Sequence, residues 1–80
     1  MMKIKVRLYG TLGNHIPEFD PLKELSLEVP EGSTISDLID RLAIPRKKVG
    51  IVSVDDRLAK ATEPLHNGNF VRIYRPLAGG

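Results

Sequence analysis

Hydrophobic and polar residues alternate in three stretches of the chain, which is typical of strands that are covered on one face only. The three stretches are residues 3–9, 25–29 and 70–75. In the first of them Ile4, Val6 and Leu8 share one side and charged residues take the other. A run rich in β-branched residues at 49–54 predicts a further strand.

The segment between the strands predicted at 25–29 and 49–54 carries the pattern of a helix. Thr34 can cap its start, and Asp37 three residues later completes a capping box that satisfies free backbone N–H groups. The apolar residues that follow recur at the spacing of one helical face: Ile35, Leu38, Ile39 and Leu42. Pro45 is predicted to end the helix, because the residue before a proline is pushed out of helical geometry.

The order of these elements predicts a two-layer α+β domain. Turn-rich residues separate the elements at 10–21, 55–56 and 65–69. The economical packing lays the one main helix across one face of a mixed sheet. That sheet has four or five strands, depending on whether the segment at 58–61 pairs. We expect residues 1–75 to form this domain and 76–80 to be a flexible tail, because Pro76 cannot donate to a sheet.

The composition excludes several kinds of site. The 80 residues include no cysteine, which rules out disulfides, thiolate zinc sites, iron–sulfur ligation and a thiol nucleophile. Two Tyr, two Phe and no Trp offer little stacking surface for bases, and the net charge of +2 is interleaved with acids, so no nucleic-acid partner is expected. No apolar run approaches the ~20 residues of a membrane span. The first residues also lack a signal-peptide pattern, so we expect a cytoplasmic protein without a membrane partner.

No catalytic group of residues emerges from the chain. His15 and His66 lie in turn-rich segments with no serine or cysteine motif to work with. Asp55 and Asp56 could in principle hold a metal, but adjacent acids in a hairpin turn are usually turn residues. We therefore expect no enzyme activity of its own, no metal site and no permanently bound cofactor.

The end of the chain offers chemistry of another kind. Gly79 and Gly80 carry no side chains, so a narrow channel of another protein could enclose the backbone and reach an unhindered carboxylate. Adenylation would turn this carboxylate into a mixed anhydride open to attack by sulfide, persulfide or an amine. A glycine-rich end that simply frays is the alternative, and these two residues alone leave both open.

Four segments taken together resemble one family. They are strand 3–9, the capped helix at Thr34-Ile35-Ser36-Asp37-Leu38, the turn at 65–69, and the ending Ile73-Tyr74-Arg75-Pro76-Leu77-Ala78-Gly79-Gly80. Over essentially its whole length the chain resembles the ubiquitin-like β-grasp sulfur carriers of the MoaD/ThiS family. Its ending is closer to the molybdopterin-synthase small subunit than to the thiamine-biosynthesis carrier.

The chain departs from the pattern of these carriers at two turns. Asn67-Gly68-Asn69 stands where Asp-Gly-Asp is frequent, which keeps the turn but removes two negative charges. Asp55-Asp56 stands where Asn-Gly is common, which favours a different turn in that hairpin.

The resemblance implies a carrier that is a co-substrate of other enzymes and the small subunit of a synthase complex. An E1-like adenylating enzyme would use ATP to activate Gly80. A sulfur donor of the desulfurase or rhodanese type would then convert the adenylate to a thiocarboxylate. Finally, the tail residues Pro76, Leu77, Ala78 and Gly79 would enter the synthase large subunit, or another sulfur acceptor, in molybdopterin (molybdenum or tungsten cofactor) biosynthesis.

A partner surface is predicted beside the tail, on the outward side of the last strand. Exposed aromatic residues with arginines are the composition favoured at interface centres. The predicted interface residues are Lys5, Arg7, Phe70, Arg72, Tyr74 and Arg75. An ordinary solvated sheet face is the alternative.

Three other functions fit the same residues. A sulfur carrier for thiamine thiazole synthesis would use the same activated end. A ubiquitin-like modifier would be joined through Gly80 to lysines of other proteins and needs the same adenylate. A plain interaction module needs no terminal chemistry, so it would keep its activity after deletion of Gly79 and Gly80.

Overall fold

Five strands form one mixed sheet in the computed structural model, which describes residues 1–9 and 24–76. The strands are β1 Met2–Leu8, β2 Leu25–Val29, β3 Val52–Val54, β4 Arg57–Ala59 and β5 Phe70–Ile73. Their order across the sheet is β2-β1-β5-β3-β4. β1 and β5 run parallel, and the other neighbouring pairs are antiparallel. The last strand therefore lies at the centre of the sheet. The predicted α+β β-grasp fold is confirmed, and of the four or five strands expected the sheet has five.

The core lies between one face of this sheet and the helix. Ile4, Val6 and Leu8 are buried, as their alternation predicts. The parallel register places Val6 beside Val71, and both side chains are fully buried. The two central strands therefore form the best-covered part of the sheet. Burying one side chain of this kind stabilises a fold by about 1.5–3 kcal/mol.

The helix α1 spans Ile35–Arg41 and begins where the sequence predicts. The Thr34 Oγ1 atom accepts a hydrogen bond from the Asp37 N–H at 3.2 Å. In return the Asp37 Oδ2 atom accepts one from the Thr34 N–H at 2.9 Å. The capping box is thus complete, and the predicted apolar face of Ile35, Leu38, Ile39 and Leu42 is buried.

The helix ends earlier than predicted, and Pro45 is not the cause. Ala43 has a φ of 58°, in the left-handed region, and Leu42 is the C-cap. The Ile44 N–H donates to the Ile39 carbonyl at 3.3 Å, and the Ala43 N–H donates to the Asp40 carbonyl at 3.0 Å. These two bonds form a Schellman motif, which satisfies the last helical carbonyls two residues before the proline is reached.

The third and last strands are shorter than the patterns predict. Residues 46–48 form a single 3-10 turn, and β3 begins only at Val52. Backbone pairing nevertheless continues past the end of β5. The Gly50 N–H donates to the Tyr74 carbonyl at 2.7 Å, and the Tyr74 N–H donates to the Ile51 carbonyl at 2.9 Å. The predicted loop at 10–21 lies outside the described residues.

The β3–β4 hairpin keeps a two-residue turn despite its unusual sequence. Val54 pairs with Arg57, and the two residues between them, Asp55 and Asp56, both have positive φ values of 49° and 68°. Positive φ at both central positions is the geometry of the tight turns that suit a hairpin. The pair of aspartates therefore takes the backbone shape that Asn-Gly usually provides.

Candidate functional site

The side of the sheet away from the helix, here called the open face, carries five of the six predicted interface residues. Register places Lys5 beside Phe70, and Arg7 beside Arg72, on the two central strands. Tyr74 follows two residues after Arg72, so it points to the same side. The exposed Arg75 comes next, at the start of the tail. The structure thus brings five of the six predicted residues to one face of the sheet, and Arg75 is placed only as an exposed residue after Tyr74.

An aromatic stack lies on the open face at the end where the chain leaves the sheet. The rings of Tyr9 and Tyr74 are 4.5 Å apart between centroids and inclined by only 11°. The Arg7 guanidinium lies 5.7 Å from the centroid of the Tyr9 ring. Offset stacking and cation–π contacts of this kind hold side chains in fixed positions. Tyr9 was not among the predicted site residues, although its place in the alternation puts it on this side.

Arg72 is a fixed part of the open face and not a freely moving charge. Its guanidinium lies 4.7 Å from the centroid of the Phe70 ring and forms an ion pair with Asp56. The hydrogen bond that the Arg72 guanidinium donates to the Asp56 carboxylate raises the pKa of Arg72, and burial opposes that shift. Asp56 therefore compensates the charge of Arg72, and Glu24 lies 3.9 Å from the Lys5 ammonium, so the positive charge of the open face comes mainly from Arg7.

Two exposed apolar residues extend the open face beyond the predicted set. Ile51 is 46% exposed and Leu58 is 72% exposed. Ile51 is hydrogen-bonded through its carbonyl to Tyr74, and Leu58 pairs across the hairpin with Ser53. Together with Arg72 and Tyr74 they line a shallow depression. The alternation of Ile51 with the buried Val52 was the signal that could have revealed this outward position.

The start of the tail packs closely on Gly50. A Cβ atom built at Gly50 would lie 2.7 Å from the Arg75 carbonyl oxygen and 2.8 Å from the Pro76 Cα atom. Only a residue without a side chain allows this approach of two backbones. Pro76 therefore starts the tail against the sheet, while the other predicted tail residues, Leu77, Ala78, Gly79 and Gly80, lie outside the described residues.

The histidines and aspartates considered for catalysis or metal binding do not form a site in the described residues. His66 is exposed, and its backbone N–H donates to the Asn69 side chain at 2.6 Å. The Asp55 carboxylate accepts hydrogen bonds from Asn69 and from the Phe70 N–H. His15 lies outside the described residues.

Among residues 1–9 and 24–76, no group of three or more metal-ligating side chains comes together. None of the helices in that part of the chain is long and apolar enough to cross a membrane.

Comparison with known proteins gives one family match. A family model described as "Mut7-C ubiquitin" matches residues 1–78. The chain matches no curated protein sequence.

Several solved structures share the fold. A putative molybdopterin converting factor subunit 1 from Pyrococcus furiosus is 22% identical, with a TM-score of 0.74, over 96% of this chain and 100% of the other. Small archaeal modifier protein 1 from H. volcanii is 13% identical with the same TM-score of 0.74, over 96% of this chain and 100% of the other. A protein–protein complex of subunits 1 and 2 of molybdopterin-converting factor from Helicobacter pylori contributes a chain that is 19% identical, with a TM-score of 0.60, over 99% of this chain and 100% of the other. Because the sequence identities are low, these comparisons show that the fold is shared and nothing more.

Proposed function

The chain belongs to the Mut7-C ubiquitin family, and on this basis we propose that it is a sulfur carrier for molybdopterin biosynthesis, loaded as a thiocarboxylate at Gly80. Its fold is that of small ubiquitin-like carriers, and the resemblance to the MoaD/ThiS carriers is confirmed at the level of that fold. One observation carries the proposal. The central strand β5 ends at Ile73, beside an open face of aromatic, apolar and basic side chains, and the sequence continues from there through Pro76 to Gly79 and Gly80.

The proposed chemistry uses the carboxylate of Gly80 and takes place in other proteins. A carboxylate oxygen attacks the α-phosphorus of ATP, and pyrophosphate leaves, which gives an acyl adenylate. Sulfide then attacks the acyl carbon, and AMP leaves with the bonding electron pair, so the product is a thiocarboxylate. The proposal requires a free carboxylate at Gly80. It also places the protein in the cytoplasm, where ATP is available.

The open face fits the partners that this cycle needs. An E1-like adenylating enzyme would supply the ATP site, a desulfurase or rhodanese would supply sulfur, and a synthase large subunit would accept it. Each must hold the domain while the tail reaches its active site. An apolar and aromatic centre with arginines beside it is the surface composition favoured for such contacts. The Helicobacter pylori complex is an example of a protein with this fold bound to a second subunit.

A second candidate function is that of a protein modifier. The fold shared with small archaeal modifier protein 1 favours it. In this case an amine, such as a lysine of another protein, would attack the acyl adenylate and leave an amide in place of a thiocarboxylate. A carrier for thiamine synthesis would form the same thiocarboxylate and differ only in the acceptor. The product on Gly80 therefore separates the carriers from the modifier.

The first test is intact mass spectrometry after incubation with an adenylating enzyme of the family, ATP and sulfide. We expect a mass gain equal to the replacement of one oxygen by sulfur, located at Gly80. Gly80→Ala should slow the reaction by about tenfold or more, because a side chain next to the carboxylate would hinder its entry into a narrow channel. A tenfold loss in rate corresponds to about 1.4 kcal/mol at the transition state. The unfolding curve of this variant should match that of the wild type, because Ile73 is the last residue of the buried core among residues 1–9 and 24–76. An amide product would favour the modifier, and the absence of any adduct with every adenylating enzyme tried would contradict both.

A further inference from the structure

Gly50 and the start of the tail are in closer contact than any side chain at position 50 would allow. A Cβ atom there would lie 2.7 Å from the Arg75 carbonyl oxygen, 2.8 Å from the Arg75 carbonyl carbon and 2.8 Å from the Pro76 Cα atom. Nonbonded carbon atoms prefer about 3.5–4.0 Å. The atoms in the way belong to the backbone, so a side chain at position 50 could be accommodated only by moving the chain at Arg75 and Pro76.

A continuous set of contacts fixes Gly50 itself to the helix. The Gly50 N–H donates to the Tyr74 carbonyl at 2.7 Å, and the Val49 N–H donates to the Arg46 carbonyl at 3.0 Å. The Arg46 guanidinium donates to the Asp40 carboxylate from two nitrogens, from Nη2 to Oδ2 at 2.9 Å and from Nε to Oδ1 at 3.3 Å. Two hydrogen bonds to one carboxylate give this ion pair a defined geometry. The site where the tail begins is therefore attached to both layers of the domain.

We propose that Gly50 is a positioning residue, which sets the direction in which the tail leaves the sheet so that Gly80 reaches an adenylating site while the open face is bound. This inference rests on the proposed function. The four residues after Pro76 span at most about 14 Å when extended, at about 3.5 Å per residue. A segment this short cannot compensate for a wrong starting direction. Misplacing a reacting group by about 1 Å can cost about a hundredfold in rate.

The experiment compares Gly50→Ala with two variants that separate positioning from other effects. Gly32→Ala is the control for stability, because Gly32 has a φ of 83° and open space around it, and lies in the turn after β2, far from the tail. Tyr74→Ala is the control for docking, because it removes one ring of the stack on the open face. Formation of the thiocarboxylate is followed by intact mass spectrometry at varied carrier concentration, and circular dichroism shows that each variant is folded.

We expect Gly50→Ala to lower kcat by about tenfold or more and to leave KM within about twofold, since the clash lies at Arg75 and Pro76, beyond strands β1 and β5, which carry most of the open face. Tyr74→Ala should mainly raise KM. Gly32→Ala should lower the midpoint of urea unfolding and leave both kinetic constants unchanged. If Gly50→Ala does not fold, Pro76→Gly takes its place. It releases the fixed φ at the same junction without adding a clash, and it should lower kcat in the same way.

Three results would overturn the inference. The first is a kcat for Gly50→Ala, or for its substitute Pro76→Gly, equal to that of the wild type. The second is an equal loss in Gly50→Ala and Gly32→Ala, which would make the effect one of stability. Both leave the sulfur-carrier function intact, because the wild type still forms product. The third is a wild type that forms no thiocarboxylate, and in that case the proposed function fails together with the inference.

Discussion

Asp55 and Asn69 connect two turns through side chains that depend on one another. The Asn69 Nδ2 group donates to the Asp55 Oδ2 atom at 2.7 Å, and the Phe70 N–H donates to the Asp55 Oδ1 atom at 2.9 Å. A carboxylate at position 69 could accept hydrogen bonds but would have no proton to offer to Asp55. The two departures from the common carrier pattern, an aspartate at 55 and an asparagine at 69, therefore support each other.

Exchanging these two side chains tests their dependence. Asn69→Asp should destabilise the fold by about 1–2 kcal/mol at neutral pH, because it replaces a hydrogen bond with two facing carboxylates. Asp55→Asn should lose a similar or smaller amount. The double variant, with both side chains exchanged, should recover most of the loss, because the amide is again opposite a carboxylate. Urea denaturation of the four proteins gives the coupling energy, and losses that simply add would show that the contact is unimportant.

Single residues also show what the sequence could predict about the candidate site and what it could not. Period-two alternation was enough to place Phe70, Arg72 and Tyr74 on one side. The ion pair of Arg72 with Asp56 and the contact of Gly50 with Pro76 were out of reach. Each joins residues far apart in the chain, and they meet only because β3 pairs with β5. The chemical role of Gly80 is a prediction that only the experiments above address.

At the level of elements, the helix shows how one end can be read from the sequence and the other cannot. The start at Thr34 has the residue types of a capping box and is confirmed. The end depends on Ala43 in a left-handed conformation, a position where glycine is usual and alanine gives no signal. Pro45 was the only visible stop, so the predicted end was too late. Strands β3 and β5 are shorter than predicted for a similar reason. Hydrogen-bond geometry decides where a strand ends, and the residue types do not show it.

Replacing Ala43 tests this account of the helix end. Ala43→Gly should stabilise the fold by about 0.5–1 kcal/mol, because it removes the steric cost of a Cβ atom at positive φ. Ala61→Gly is the matched control, since Ala61 is also exposed and lies in a turn but is not among the residues with positive φ. Ala61→Gly should destabilise the fold by a similar amount, because glycine gives the unfolded chain more conformational freedom. The two midpoints of thermal unfolding should move in opposite directions, and a shift in the same direction would contradict the assignment.

For the molecule as a whole, the number and kind of elements were enough to predict the fold. One amphipathic helix and several strands with a single apolar side leave few ways to form a two-layer core. The α+β β-grasp fold and the likeness to ubiquitin-like carriers are confirmed. The strand order was not predicted, and neither was the parallel pairing of the first and last strands. Apolar alternation shows which side of a strand is covered and says nothing about which neighbour it takes.

The parallel pairing of β1 and β5 also determines how the domain should respond to a mechanical load. The register that joins Lys5 to Phe70 and Leu8 to Ile73 leaves Met1 and Pro76 at opposite ends of the sheet. Tension between these two residues loads the hydrogen bonds of the central pair in shear, all at once. Tension between Val52 and Ala59, at the open end of the β3–β4 hairpin, would break its bonds one after another. Single-molecule pulling should therefore give a higher rupture force in the first geometry, and equal forces would contradict this. Under a load applied between Met1 and Pro76, the two central strands would then hold together longer than the hairpin does under the same load.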